Sequence, residues 1–105
     1  MIVGDPARTA DFLKAMAHPT RILILEELLR GPKCVTDIED LLSVRQANVS
    51  QHLTVLRHAR LVGFAQRGAL RCYYLARPKL VRDLLRLTQR HDPVLTRTSA
   101  DIEAE

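Results

Sequence analysis

Three observations predict that this chain of 105 residues is a mainly α-helical domain with a small β element. Apolar residues recur at helical spacing in five segments, each bounded by capping residues, proline or glycine. Two β-prone runs, Leu61–Gln66 and Leu70–Leu75, meet at Arg67-Gly68-Ala69, a plausible hairpin tip. A short β-favouring fragment, "KCV", sits between the second and third helical segments. In chain order these give α-α-(β)-α-α-β-β-α, mainly α with a small β-wing, which is the plan of a winged helix-turn-helix.

Each element has a local cause. Asp5-Pro6 supplies an N-cap followed by proline at the first helical position, opening a helix to about Ala17 with Phe12, Leu13 and Met16 as its apolar stripe. His18-Pro19 breaks it. Thr20 can cap the second helix, "RILILEELLRG", which stops at Gly31-Pro32 and turns Ile22, Leu25, Leu28 and Leu29 inward. Thr36 with Glu39 three residues on resembles a capping box for a short helix through Leu42. Ser43 with Gln46 is a second such box, and the helix it starts runs to about Ala59. Val49, Leu53 and Leu56 mark its buried side, leaving Ala47, Asn48, Gln51, Thr54 and His58 opposite, with Arg45 and His52 on one flank and Ser50 on the other. After the hairpin, Pro78 starts a final helix carrying Leu80, Val81, Leu84, Leu85 and Leu87. Residues 1–92 are expected to form the DNA-binding and dimerisation domain, and 93–105 a polar, frayed tail.

Composition narrows the function classes. One core is usual at this length, and an apolar fraction of 47% supplies it. No apolar run approaches the ~20 residues that span a bilayer, so no membrane association is expected. The start, "MIVGDPARTADF", lacks a basic stretch followed by an apolar one, so the expected location is cytoplasmic. The net charge of +4 conceals an asymmetry. Residues 41–82 carry seven arginines and Lys79 with no acid, while the remainder has eight basic and twelve acidic residues. Positive potential so concentrated attracts a polyanion, and nucleic acid is the one it points to. A core helix with a merely solvated basic face would explain neither the missing acids nor the hairpin that follows.

A helix in this position of the motif enters the major groove. Its amides suit adenine bidentately and its serine is permissive, whereas a carboxylate would face phosphates. Arg67 and Arg71 of the hairpin would reach the sugar-phosphate backbone, and His52 and His58 read as DNA-proximal donors. No serine, histidine and acid arrangement, phosphate loop or catalytic metal cluster is visible, so an enzyme is not expected.

The segments "MAHPTRILIL", "VSQHLTVLRHARLV" and "RGALRCYYL" resemble the signature segments of ArsR/SmtB-type repressors, over roughly residues 8 to 90. The resemblance implies a homodimer built by the first and last helices, with Phe12, Leu80, Leu84 and Leu87 at its interface. It also implies a double-stranded operator that is released when an inducer binds. The positions matching the family's DNA contacts are Gln46, Ala47, Asn48, Ser50 and Gln51. Arg45 stands where the family often has serine, which adds a possible phosphate or guanine contact, while Ala47 contributes no side-chain hydrogen bond. Dimerisation also has a motive independent of the family. The last helix's apolar stripe is wider than a small domain can cover, and a two-fold dimer would set two recognition helices ~34 Å apart.

The family's soft-metal site, a "CVC" followed by aspartate and an aliphatic residue, is only half kept in "KCVTDI". Cys34, Asp37 and Ile38 match, but Thr36 replaces the second cysteine. The fold offers another partner. The short strand pairs with the second hairpin strand, which can make Cys34 and Cys72 cross-strand neighbours. Such a pair can hold arsenic, antimony, cadmium, lead or zinc, or close into a disulfide. Two further readings stay open: the thiols are small buried hydrophobes, or Cys34 acts with a partner not visible in the sequence. The expected function is an inducible repressor sensing a thiophilic metal, metalloid or oxidant at cysteine. The alternatives are the same fold sensing a small organic ligand or a protein, and a non-specific nucleoid-type DNA-binding protein.

Overall fold

The computed structural model describes residues 4–42 and 46–105, with backbone alone at residues 46 and 47. Helix α1 (Pro6–Met16) opens as its first residues dictate: the Asp5 carboxylate accepts from the Ala7 N–H at 3.0 Å and Pro6 occupies the first turn. Helix α2 (Pro19–Leu29) departs from the expectation. Its cap is His18 rather than Thr20, and the His18 Nδ1 accepts from the Thr20 N–H at 3.1 Å. Pro19 forces an extended backbone on His18, which places that ring over the first turn. Ile24, absent from the expected inward set, is fully buried beside Leu25 and Leu28, while Ile22 and Leu29 are half-buried against the same core.

Strand β1 is only Lys33–Cys34, because Val35 already belongs to helix α3 (Val35–Leu42). The Thr36 capping box is therefore not formed. The return bond runs two residues earlier, from the Cys34 N–H to Asp37 Oδ2 at 3.3 Å. The Ser43 box lies outside the described residues. Helix α4 (Gln46–His58) follows and ends in a Schellman motif. Leu61 N–H donates to the Leu56 carbonyl and Arg60 N–H to Arg57, with Arg60 in the left-handed region at φ 60°. Leu56 and Leu61, the apolar pair such a motif brings together, are both fully buried.

The reversal delivers strand β2 (Val62–Arg67) and strand β3 (Leu70–Leu75), joined across Gly68-Ala69 with Gly68 at φ 62°. The sheet is antiparallel in the order β1-β3-β2. Tyr73 faces the core and Tyr74 faces out, lying across Gly63, where a Cβ would come within 2.6 Å of the Tyr74 Oη. Helix α5 (Pro78–Gln89) buries Val81 and Leu85. The tail carries a short exposed helix, α6 (Ser99–Glu103), closed by a reciprocal Thr98–Asp101 capping box. Among the described residues no helix is long and apolar enough to cross a membrane.

Candidate nucleic-acid interface

Helix α4 is divided lengthwise. Val49, Leu53 and Leu56 are fully buried in the common core, and each such side chain contributes about 1.5–3 kcal/mol by leaving water. The opposite side presents Asn48, Ser50, Gln51, Thr54, Arg57 and His58 to solvent. Thr54 Oγ donates back to the Ser50 carbonyl at 2.9 Å, so that hydroxyl is occupied within the helix. Asn48, Gln51 and the Ser50 hydroxyl make no hydrogen bond to any other described residue. Their donors and acceptors are free for an external partner. Arg45 lies outside the described residues, and at Gln46 and Ala47 only the backbone is placed, in the first turn of α4.

His52 is situated differently from its neighbours. It is half-buried, its Nδ1 accepts from Arg21 Nε at 3.1 Å, and its ring centroid lies 4.4 Å from that of His18. Burial pushes the His52 imidazole below its usual range, and the nearby His18 and Arg21 charges push the same way. Of its two ring nitrogens, only Nε2 has no partner among the described residues.

The wing adds cations on the same acid-free stretch. Arg67 is exposed at the end of β2. Arg71, also exposed, lies over the Phe64 ring at 4.6 Å from its centroid, and Arg57 of α4 approaches the same ring at 5.3 Å. Phe64 in turn contacts Tyr73, its cross-strand partner, at 5.6 Å between centroids. One aromatic side chain thus orients a guanidinium from the helix and another from the wing. Sequence reasoning counted Arg57 only as a charge and gave Phe64 no role. The available signal was an aromatic two residues from the core position Val62, hence on the same face of the strand.

The cysteines meet as the topology predicted. Cys34 and Cys72 are register partners between β1 and β3, with Cα atoms 3.8 Å apart, and their sulfurs form a disulfide. Bonded, neither sulfur is a thiolate; reduced, the pair offers two soft donors. Among the described residues no third histidine, cysteine or acid joins them, so the four-ligand set that zinc prefers is not supplied there. On α5, Leu80 and Leu87 are exposed and Leu84 is half-buried, while Phe12 of α1 packs partly on the core.

A family model described as "Bacterial regulatory protein, arsR family" matches residues 18–63, from the His18 cap to β2. The regulator MJ1325 of Methanocaldococcus jannaschii is 33% identical over 81 residues, covering 76% of this chain and 90% of that protein. The chain belongs to the ArsR family. It is accordingly a winged helix-turn-helix DNA-binding transcriptional regulator, a non-enzymatic class. Another ArsR-type relative, the regulator NmtR of Mycobacterium tuberculosis, is 43% identical over 56 residues, covering 53% of this chain and 47% of that protein. The chain thus spans about half of NmtR's length. Among solved structures, HlyU from Vibrio cholerae superposes with a TM-score of 0.74 at 29% identity, covering 85% of this chain and all of that one. A form of HlyU described as reduced matches at 0.70 and 31%, covering 80% of this chain and 92% of that one.

Proposed function

We propose that this ArsR-family chain is a cytoplasmic, homodimeric repressor that reads a two-fold operator with α4 and the wing, and that the chemistry of Cys34 with Cys72 governs its release. The observation that carries the DNA reading is the division of α4. Asn48, Ser50 and Gln51 face solvent, their side chains without a hydrogen-bond partner among the described residues, on a helix with no acid, directly behind three fully buried aliphatic side chains. Those three polar residues are the groove contacts, and Arg45, Gln46 and Ala47 are assigned the same role from the family's matching positions alone; His52 contributes at most its Nε2, and Arg67 and Arg71 hold phosphates. Phe12, Leu80, Leu84 and Leu87 form the two-fold interface, since all four remain exposed or half-buried in one chain.

The inducer reading rests on the β1–β3 register. Cys34 immediately precedes α3, the first helix of the motif, and Cys72 follows Arg71 in the wing. A bond between them ties those two parts together. Two-electron oxidation by a peroxide or a small disulfide joins the two sulfurs. Both thiol protons are released and the electrons pass to the oxidant; a thiol reductant reverses the step. A soft ion such as arsenite or cadmium binding both thiolates, with further ligands from solvent, would act on the same two strands. A solved structure of HlyU, similar to this chain, is described as reduced.

The test is fluorescence anisotropy on the chain's own upstream DNA and on unrelated DNA. Reduced protein, oxidised protein, and reduced protein titrated with arsenite, antimonite, cadmium, lead or zinc are compared, with Cys34→Ser and Cys72→Ser alongside. A redox or metal response that both serine variants lose is the expected result. Serine variants that respond like the parent would eliminate the thiols and leave a small organic ligand or a protein as inducer. Equal affinity for unrelated DNA would favour a nucleoid-type role.

A further inference from the structure

We propose that His52 is a positioning residue whose bond from Arg21 sets the pose of α4, so that protonating its imidazole weakens operator binding. The inference rests on α4 being the DNA-reading helix. Three elements converge on Arg21. Its Nη1 donates to the Ala15 carbonyl at 3.2 Å, and more distantly to the Lys14 carbonyl at 3.5 Å, which also accepts from the Ala17 N–H, in the last turn of α1. Its Nε donates to His52 Nδ1 on α4 at 3.1 Å. The His18 ring, held by its own bond to the α2 backbone, stands against the other side of the latch at 4.4 Å.

This arrangement admits only one protonation state of His52. Nδ1 must carry a lone pair to accept from Arg21, so the ring is neutral with its hydrogen on Nε2. Adding a proton to Nδ1 sets donor against donor and an imidazolium against a guanidinium, and the bond is lost. No described carboxylate forms an ion pair with Arg21, His18 or His52 to compensate. The charged groups bordering this junction are Asp11 and Lys14 from α1, His18 and Arg21 from α2, and His58 further along α4; Asp11, Lys14, Arg21 and His58 line one groove. Burial of His52 beside two potential cations agrees with a ring that stays neutral at ordinary pH. Once the latch opens, α4 keeps its aliphatic contacts to the core but loses its polar tie to α1 and α2.

The sign of the effect separates this role from the simpler one. A histidine that merely faces phosphate gains charge in acid and strengthens binding. A latch histidine weakens it. Operator affinity is measured at constant salt between about pH 7.5 and about pH 5.5, bracketing the imidazole range. Far-ultraviolet circular dichroism at each pH confirms that the protein stays folded. The parent is expected to weaken about tenfold on acidification, the size of one lost charge-assisted hydrogen bond. His52→Asn, which keeps an acceptor near the Nδ1 position, should show a flat profile and bind more tightly than His52→Leu at the upper pH. His52→Leu and Arg21→Met should be weaker and flat. A parent profile that is flat or rises in acid, or a His52→Asn variant that keeps the parent's acid loss, overturns the proposal. Gln51→Ala on the same DNA separates the two levels of inference. If it binds like the parent, α4 is not the reader; if it weakens binding while the parent profile stays flat, only the latch is wrong.

Discussion

At Asn48 and Gln51 the side-chain amides point outward with nothing in the described chain to satisfy them. Replacing Gln51 by alanine is expected to cost about 1–3 kcal/mol of operator binding while leaving the melting temperature unchanged, read by anisotropy and thermal unfolding together. Arg60 shows the opposite economy. It occupies the left-handed position of the Schellman motif at φ 60°, where a side chain is disfavoured. Arg60→Gly should raise the unfolding free energy by about 0.5–1 kcal/mol, measured by urea denaturation, because relief of the backbone conformation exceeds glycine's extra freedom in the unfolded chain. Side-chain direction on α4 was legible from its 3.6-residue period. The His52–Arg21 bond was not, because it joins residues 31 apart in sequence that only packing brings together.

Among the elements, β1 is the shortest and the most consequential. Its two residues place Cys34 opposite Cys72, closing a loop with a sequence separation of 38. Chain entropy puts the gain from such a cross-link at about 3–4 kcal/mol, so reduction should lower the unfolding free energy by that order in matched denaturant titrations with and without a thiol reductant. Cys34→Ser should be insensitive to the reductant. In the wing, Arg67 is exposed at the strand end, whereas Arg71 is held over Phe64. Arg67→Ala is expected to reduce the slope of log affinity against log salt by about 1, without changing which sequence is preferred. The hairpin and its tip followed from local propensity. The start of α3 did not, since Thr36-Glu39 and Cys34-Asp37 are equally spaced and β1 pairing decides between them.

At the scale of the whole molecule, the apolar stripe on α5 has two sides. Val81 and Leu85 complete the chain's own core, and Leu80 and Leu87 stand exposed on a second line, with Leu84 half-buried between the two. If that line is the two-fold interface, Leu87→Glu should convert the protein to monomer in sedimentation equilibrium. Operator affinity should then fall far more than for any single base contact, because two half-sites are no longer bound together. The split between buried and exposed apolar side chains could not be read from the helix itself, where Val81 and the four leucines lie within one broad stripe.

The sequence by itself determined the helix and strand order as far as α5, the buried side of α4, the acid-free surface and the resemblance to ArsR-type regulators. These depend on periodicity, capping and charge, which are local properties. Only the tertiary structure decided that His18 rather than Thr20 caps α2, that His52 belongs to an internal latch, that Phe64 orients two arginines, and which leucines of α5 stay uncovered. Each of these arises from groups distant in the chain competing for the same space or the same hydrogen bond, and neither composition nor spacing records the outcome of that competition.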